Sequence, residues 1–404
     1  MLIKHLASLL YSLACVSQTS ALVCPGDNSD RPVCTPTSAG SALVDDVPAI
    51  QDAIESCGDG GVITIPSGTT FSIRSPLDFG GCVYCDFQIE GTLLISDDVD
   101  YWSSHPSIMV VSGVQGLSMY SQTGSGVIDG NGQAAWDAFA ADDSLSRPVL
   151  HAIQGASREI RIYDLTIRNA PMFFFTVGGR SSGVTYQDLQ LSAVSTSSNV
   201  AKNTDGIDIG DASYVTVSSC TITNDDDCVA FKPGSNWVIV NDVTCYGSHG
   251  ISVGSLGKAP GSTDTVSNIM VQNVMMHNST KAVGIKLWPG GPKYGTAVVS
   301  NVTFDDVQVD NADYAAQIDT CYGEGEAYCA AHPSTAQLSN IGFLNFQGTT
   351  STHHGSVVAS LDCSAQGTCD IAFQDWSVRP STGQGQVVCA NVPDDAGITC
   401  GSSA

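Results

Sequence analysis

Three carboxylates stand side by side in the segment TNDDDCVAFKPGSN, at Asp225, Asp226 and Asp227, and apolar residues follow at once. Like charges this close resist joint ionisation, so at least one pKa in the group is expected to rise. Upstream, KNTDGIDIG carries Asp205 and Asp208. Downstream, GSHGISVGSLG supplies His249 and GIKLWPGG supplies Lys286. Two carboxyl groups in a groove, one of them protonated, suit hydrolysis of a glycosidic bond. One acid protonates the leaving oxygen and another deprotonates water. Asp226, at the centre of the crowd, is the expected acid, with Asp205 and Asp227 holding the water. Each residue alone reads equally well as a solvated turn. Their common register along the chain is what points to a site.

That register comes from a repeated unit, apolar at i, i+2, i+5 and i+7. It runs through Ile160, Ile162, Leu165, Ile167, then Val184, Tyr186, Leu189, Leu191, then Val215, Val217, Cys220, Ile222. It continues at Val238, Ile269 and Val302, is partial at Ile341, and closes at Ile371. Spacing of two is the strand period, and the extra residue between pairs implies a bend that keeps both pairs facing inward. Copies begin roughly 23 to 39 residues apart, as in a solenoid with variable insertions. The fold expected is a right-handed parallel β-helix. A β-sandwich is the alternative, but its strands would not repeat one internal bend. Successive coils would stack ~4.8 Å apart, lining up the acids, the imidazole and the ammonium across one face. Strand alternation would send Asp226 and Asp227 to opposite faces, so the backbone must bend there if both serve the site. The stretch DDVPAIQDAIESC fits an N-terminal capping helix. Val47, Ile50, Ile54 and Cys57 lie on one face, Asp46 can cap, and Pro48 sits in the first turn.

The whole chain narrows the class. A net charge of −25 over 404 residues disfavours nucleic acid and anionic membranes as partners. The opening MLIKHLASLLYSLACVSQTSA reads as a secretory signal over residues 1–21, leaving 22–404 as one catalytic domain, secreted and extracellular. Beyond Cys15 of the signal there remain fourteen cysteines, an even number that suggests full pairing. Cys363/Cys369, Cys321/Cys329 and Cys389/Cys400 read as local staples. The CxxC at Cys82 and Cys85 has no second CxxC or finger-spaced His pair to make a zinc site. Sequons at Asn278 and Asn301 fit the secretory route.

The motifs NTDG, DDC, GSHGISVGSLG and IK, in this order, resemble the polygalacturonase family, glycoside hydrolase family 28. GSGVIDGNGQAAW (Gly124 to Trp136) resembles a further segment of that family. The resemblance covers most of the mature chain. It implies a parallel β-helix that hydrolyses galacturonan with inversion, with no cofactor and no metal, acting as a monomer on pectic polysaccharide. It assigns Asp226 as general acid and Asp205 and Asp227 as the water-activating pair. His249 would support the acid's ionisation and contact substrate, Lys286 would meet a galacturonate carboxylate, Tyr314 would be a subsite tyrosine, and Asn203 opens the first motif. Two departures stand out. Asp225 replaces the Gln or Gly common before the Asp pair, and Gly284 replaces the arginine of Arg-Ile-Lys. Losing that arginine weakens a bidentate grip on a carboxylate and clears space. This resembles the fungal branch acting on xylose-substituted galacturonan, Gly284 giving room for the extra sugar. The alternative is a cation restored from elsewhere, for example Lys258 or Lys232. Rival readings are a plain exo- or endo-polygalacturonase, a calcium-dependent lyase of similar fold, and a non-catalytic cell-wall-binding β-helix. A lyase would need a basic residue where this row is acidic, and a binder would need no acids in register.

Overall fold

The computed structural model describes residues 31–401. The expected signal over residues 1–21 lies outside the described residues, as do Cys15 and Cys24. From Val33 onward the chain forms one compact unit. It is a right-handed parallel β-helix, and every strand pair in it is parallel. One wall is an 11-stranded sheet that includes Ile207–Ile209, Val229–Phe231, Ile251–Leu256 and Val283–Leu287. The other, 17-stranded, includes the long bent strands Ala212–Thr223, Asn236–Tyr246, Thr263–His277 and Thr296–Ala312.

The bend inferred from the repeat is a single residue, always the one immediately before the second apolar pair. Asp164, Asp188, Ser219, Asp242, Asn273, Asp306, Asn345 and Asp375 all have φ between 51° and 57°. Asn and Asp tolerate this left-handed conformation better than other side-chain-bearing residues, which explains their recurrence there. Each bend lets both apolar pairs face the interior. Ile160, Val184, Val215, Val238, Ile269 and Val302 are accordingly buried in one continuous core. The coils also begin earlier than the repeat suggested, at Val62–Ile65.

The capping helix is Val47–Cys57, with Val47, Ile50, Ile54 and Cys57 buried and Pro48 in its first turn. Asp46, however, does not cap it with its side chain. Its carboxylate accepts instead from the amides of Ala39 (2.7 Å) and Ser72 (2.8 Å), tying the helix to the first coils. Short helices at Val99–Trp102, Gln133–Ala141 and Glu326–Ala331 are insertions that the strand repeat did not announce.

Six disulfides close among the described residues. They include the three expected staples and Cys82–Cys85, which makes that CxxC a disulfide. Full pairing is not what the structure shows. Cys220 is free and buried, because it occupies an interior position level with Val243 on the next coil. Burial pushes its thiol up to about 12, so it packs as a small apolar residue. Among the described residues no helix is long and apolar enough to cross a membrane.

Candidate active site

The acids lie in the turns that enter the 11-stranded sheet. Ile207 pairs with Val229, so Asp227, rather than Asp226, stands in register with Asp205. Gly206 donates its amide to the Asp227 carbonyl (2.9 Å), and His249 donates its amide to the Asp226 carbonyl (2.7 Å). Consecutive coils thus carry Asp205, then the Asp226–Asp227 pair, then His249. Asn224 makes this possible. Its buried side-chain amide donates to the carbonyls of Thr204 (2.8 Å), Asp226 (3.1 Å) and Asp227 (2.9 Å), curling the turn so that both acids reach one face. Oxygens of Asp205, Asp226 and Asp227 come within 4.8 Å of one another. Asp225 sits at the rim, half-buried, and its amide donates to Thr204 Oγ1 at 3.0 Å.

Each carboxylate has a distinct environment. Asp227 is almost wholly buried; Lys286 Nζ donates to its Oδ2 at 2.5 Å and Ser252 Oγ to its Oδ1 at 2.7 Å. Asp205 is also buried, with Lys232 Nζ 3.5 Å from Oδ2 and no hydrogen-bond partner on Oδ1. Burial, then the charges of Asp208 and Asp226, raise its pKa well above the ordinary value, and Lys232 only partly offsets this. Asp208, 3.4 Å from the same ammonium, is raised by burial to about 6. Asp226 is the most exposed of the three, its side chain 17% accessible.

The raised pKa expected at Asp226 is found elsewhere. Burial pushes Asp226 up, but the hydrogen bond and charge of His249, the amide of Asp227 and the Lys286 ammonium outweigh it, holding it down at about 2. His249 Nδ1 stands 3.2 Å from Asp226 Oδ1, and Asn203 Nδ2 donates to Oδ2 at 3.1 Å. The raised pKa values lie instead at Asp205, Asp208 and, at the rim, Asp225, with burial the first cause at each. They lack the hydrogen bonds that Asp226 collects.

Two other expectations change. Lys286 is buried against Asp227, so its ammonium is already engaged by a carboxylate of the site. Gly284 leaves no vacancy. A β-carbon there would fall 2.8 Å from Cδ and Cε of Lys281 and 3.0 Å from the Gln317 carbonyl. Lys281 lies along this glycine, donates from Nζ to the His249 carbonyl (2.6 Å) and reaches 4.0 Å from Asp227 Oδ1. Burial lowers its pKa to about 8. The arginine's loss is thus met by a cation from the preceding turn, neither Lys258, which lies over the Trp288 ring, nor Lys232 alone.

Sequence reasoning missed Lys281, Asn224, Ser252 and Arg147. Arg147 sits 3.7 Å over the Phe139 ring and donates to Asn203 Oδ1 at 2.8 Å, aiming the Asn203 amide at Asp226. Its place on a distant coil gave no local signal. Beside Asn203 opens a cavity of about 420 Å³ whose lining includes Trp136, Phe139, Asn199 and Lys202. Tyr314 lies one coil beyond Lys281, its carbonyl accepting from Ala282, and its ring stacks on His354 at 4.1 Å. Three carboxylates this close could hold a hard cation, but Lys232, Lys281 and Lys286 already occupy the positions around them. Asn278 and Asn301 are both exposed. The Asn301 amide donates to Asn268 in a side-chain ladder, whereas Asn278 accepts from Asn311.

A β-helix with a row of buried carboxylates and countercharged lysines across its coils has the parts of a glycoside hydrolase. Residues 57–400 match the family Glycosyl hydrolases family 28. The endo-xylogalacturonan hydrolase A of Aspergillus tubingensis is 52% identical over 374 residues, spanning 93% of this chain and 91% of that protein. A probable endo-xylogalacturonan hydrolase A of Aspergillus niger is 51% identical over the same shares. The crystal structure of the A. tubingensis enzyme superposes with a TM-score of 0.91, covering 92% of this chain and all of that one. A polygalacturonase from Erwinia carotovora, 20% identical, shares the fold with a TM-score of 0.68 over 93% of this chain and 99% of its own. The chain belongs to glycosyl hydrolases family 28 and is a glycoside hydrolase.

Proposed function

We propose that this protein is a secreted hydrolase of α-1,4-galacturonosyl bonds in xylose-substituted galacturonan. The observation that carries the chemistry is the carboxylate cluster, in which one acid faces outward and two are buried and braced by lysines. Support for the branched substrate is the 52% identity to an endo-xylogalacturonan hydrolase, together with the wide cavity beside Asn203. The Gly284 position does not supply that room.

Asp226 is the general acid by position, since it alone of the three is appreciably exposed. In the free protein it is ionised, so the substrate complex must deliver its proton. An anionic sugar over the cluster would raise the pKa of Asp226 and favour the neutral acid, with the His249 ring 3.2 Å from Oδ1 holding the carboxyl in place. Asp205 and Asp227 take a proton from the attacking water. The closest oxygens of the cluster are nearer than the ~6.5–9.5 Å usual between the carboxyls of an inverting pair. Inversion is still the outcome proposed. Both oxygens of Asp227 are engaged by Lys286 and Ser252, and Asp205 is nearly buried with Lys232 beside its Oδ2, so both are set back from the anomeric carbon. Both can hold a water. Six disulfides fit an extracellular protein, and Asn278, its amide nitrogen outside the Asn301 ladder, is the better-placed glycan acceptor.

Product profiling on xylogalacturonan and polygalacturonate side by side tests this. Faster release of oligomers carrying xylose supports the reading. Equal or greater activity on the unbranched polymer would make the protein a polygalacturonase, and no activity on either would leave a binding module.

A further inference from the structure

At the far side of Tyr314 lies a cluster that the hydrolytic chemistry does not use. Asp313 precedes the tyrosine, and the turn one coil further on, STHHGS (351–356), brings His353 and His354 against it. One donor atom from each of Asp313, His353 and His354 lies within 4.8 Å of the other two. We propose that these three side chains form a binding site for a divalent transition-metal ion of the zinc class, with a fourth position open to water.

The donor set selects the ion. Two imidazoles and one carboxylate suit zinc, copper or nickel, whereas calcium and magnesium prefer all-oxygen shells. Two of the three ligands are pre-placed. Ser351 Oγ donates to Asp313 Oδ1 at 2.6 Å, which orients the carboxylate and leaves Oδ2 toward His353 Nδ1, 3.4 Å away. Such a hydroxyl behind a ligating carboxylate is the support that metal ligands commonly have. His354 is held flat on the Tyr314 ring, the planes 8° apart. The third ligand is the adjustable one, because the His353 side chain is 66% exposed. Bond lengths of ~2.0–2.2 Å in a tetrahedron put donor atoms about 3.3 Å apart. Asp313 and His353 already stand at that spacing, 3.4 Å apart, and the remaining gaps to His354 close by at most about 1.5 Å. A surface ion pair with Asp313 would need one imidazole only. The second, fixed by stacking and 4.5 Å from the first, completes a three-ligand set.

Calorimetric titration of chelator-treated protein with Zn²⁺ alone tests the site, with no dependence on the reading of the groove. The expected result is saturable binding of one ion per chain and a melting temperature that rises with Zn²⁺. His353→Ala and His354→Ala should each weaken binding by ~10-fold or more, since even outer-sphere changes cost 10–100-fold. His332→Ala, elsewhere on the surface, should bind as the parent does. Circular dichroism identical to the parent shows that the variants fold. Absence of saturable binding by the parent, unchanged binding by the His353→Ala/His354→Ala double variant, or equally tight binding of Ca²⁺ would each overturn the proposal.

Discussion

Gly284 and Lys281 should behave as one unit. Gly284 has no left-handed backbone, so a side chain there meets no φ strain. It meets Lys281 instead, with contacts of 2.8 Å from the added β-carbon to both Cδ and Cε. The lysine cannot swing clear, because its side chain is buried and Nζ is tied to the His249 carbonyl. Overpacking of this kind costs about 1–3 kcal/mol, so Gly284→Ala should destabilise by that amount. Lys281→Ala loses a charge-assisted hydrogen bond, about 1.5–3 kcal/mol. In the double variant the clash with Lys281 is gone and only the Gln317 carbonyl remains close, so its cost should fall short of the sum by about 1–2 kcal/mol. Urea unfolding of the four proteins supplies the cycle. The same logic governs specificity. Gly284→Arg alone should lose activity on every substrate, whereas Gly284→Arg in the Lys281→Ala background should recover activity and favour unbranched polygalacturonate. Costs that add within ~0.5 kcal/mol would show that the two sites are uncoupled and refute the reasoning.

Removing the Lys232 charge should move the pH profile. Lys232 lowers the pKa of both Asp205 and Asp208, so Lys232→Met raises both, and the base form of Asp205 appears only at higher pH. The acid limb of kcat/KM should shift upward by ~1–3 pH units, and an unmoved limb would exclude Asp205 as a base. Glu90 offers a stability test away from the site. Burial raises its pKa, but Thr123, Gln88, the amide of Gln122 and Ser121 outweigh this and lower it to about 2. A depressed pKa stabilises the fold above the unfolded value near 4.5, and the benefit disappears as pH falls through about 2. Glu90→Gln should thus cost ~2–3 kcal/mol at pH 6 and little at pH 2, measured by denaturant unfolding. A pH-independent loss would contradict the assignment.

The coil repeat was legible because it is local. Apolar pairs and the Asp or Asn between them are read within eight residues, and that Asp or Asn is the residue that bends. The acids were legible because coils of similar length stack them. What escaped was set by contacts between coils of unequal length. Arg147 reaches Asn203 across 56 residues, a distance that no spacing rule links, and Lys286, expected in the row, pairs across 59 residues with Asp227 where a substrate carboxylate was expected. Lys281 was hidden for another reason. An empty glycine position looks like space in a sequence, and only packing shows which neighbour fills it. Crowding at Asp226 misled in the same way, because the sequence shows the like charges but not the His249 ring that faces them.

The central claim is that Asp226 delivers the proton that breaks the galacturonosyl bond. Turnover of xylogalacturonan by Asp226→Asn, with folding verified by an unchanged melting curve, tests it most directly. Asparagine keeps the shape and the Asn203 contact but has no proton to give. The account predicts a fall in kcat of at least ~10²–10⁴-fold. A correctly folded Asp226→Asn that turns over at the parent rate would contradict it and move the acid to another residue of the cluster.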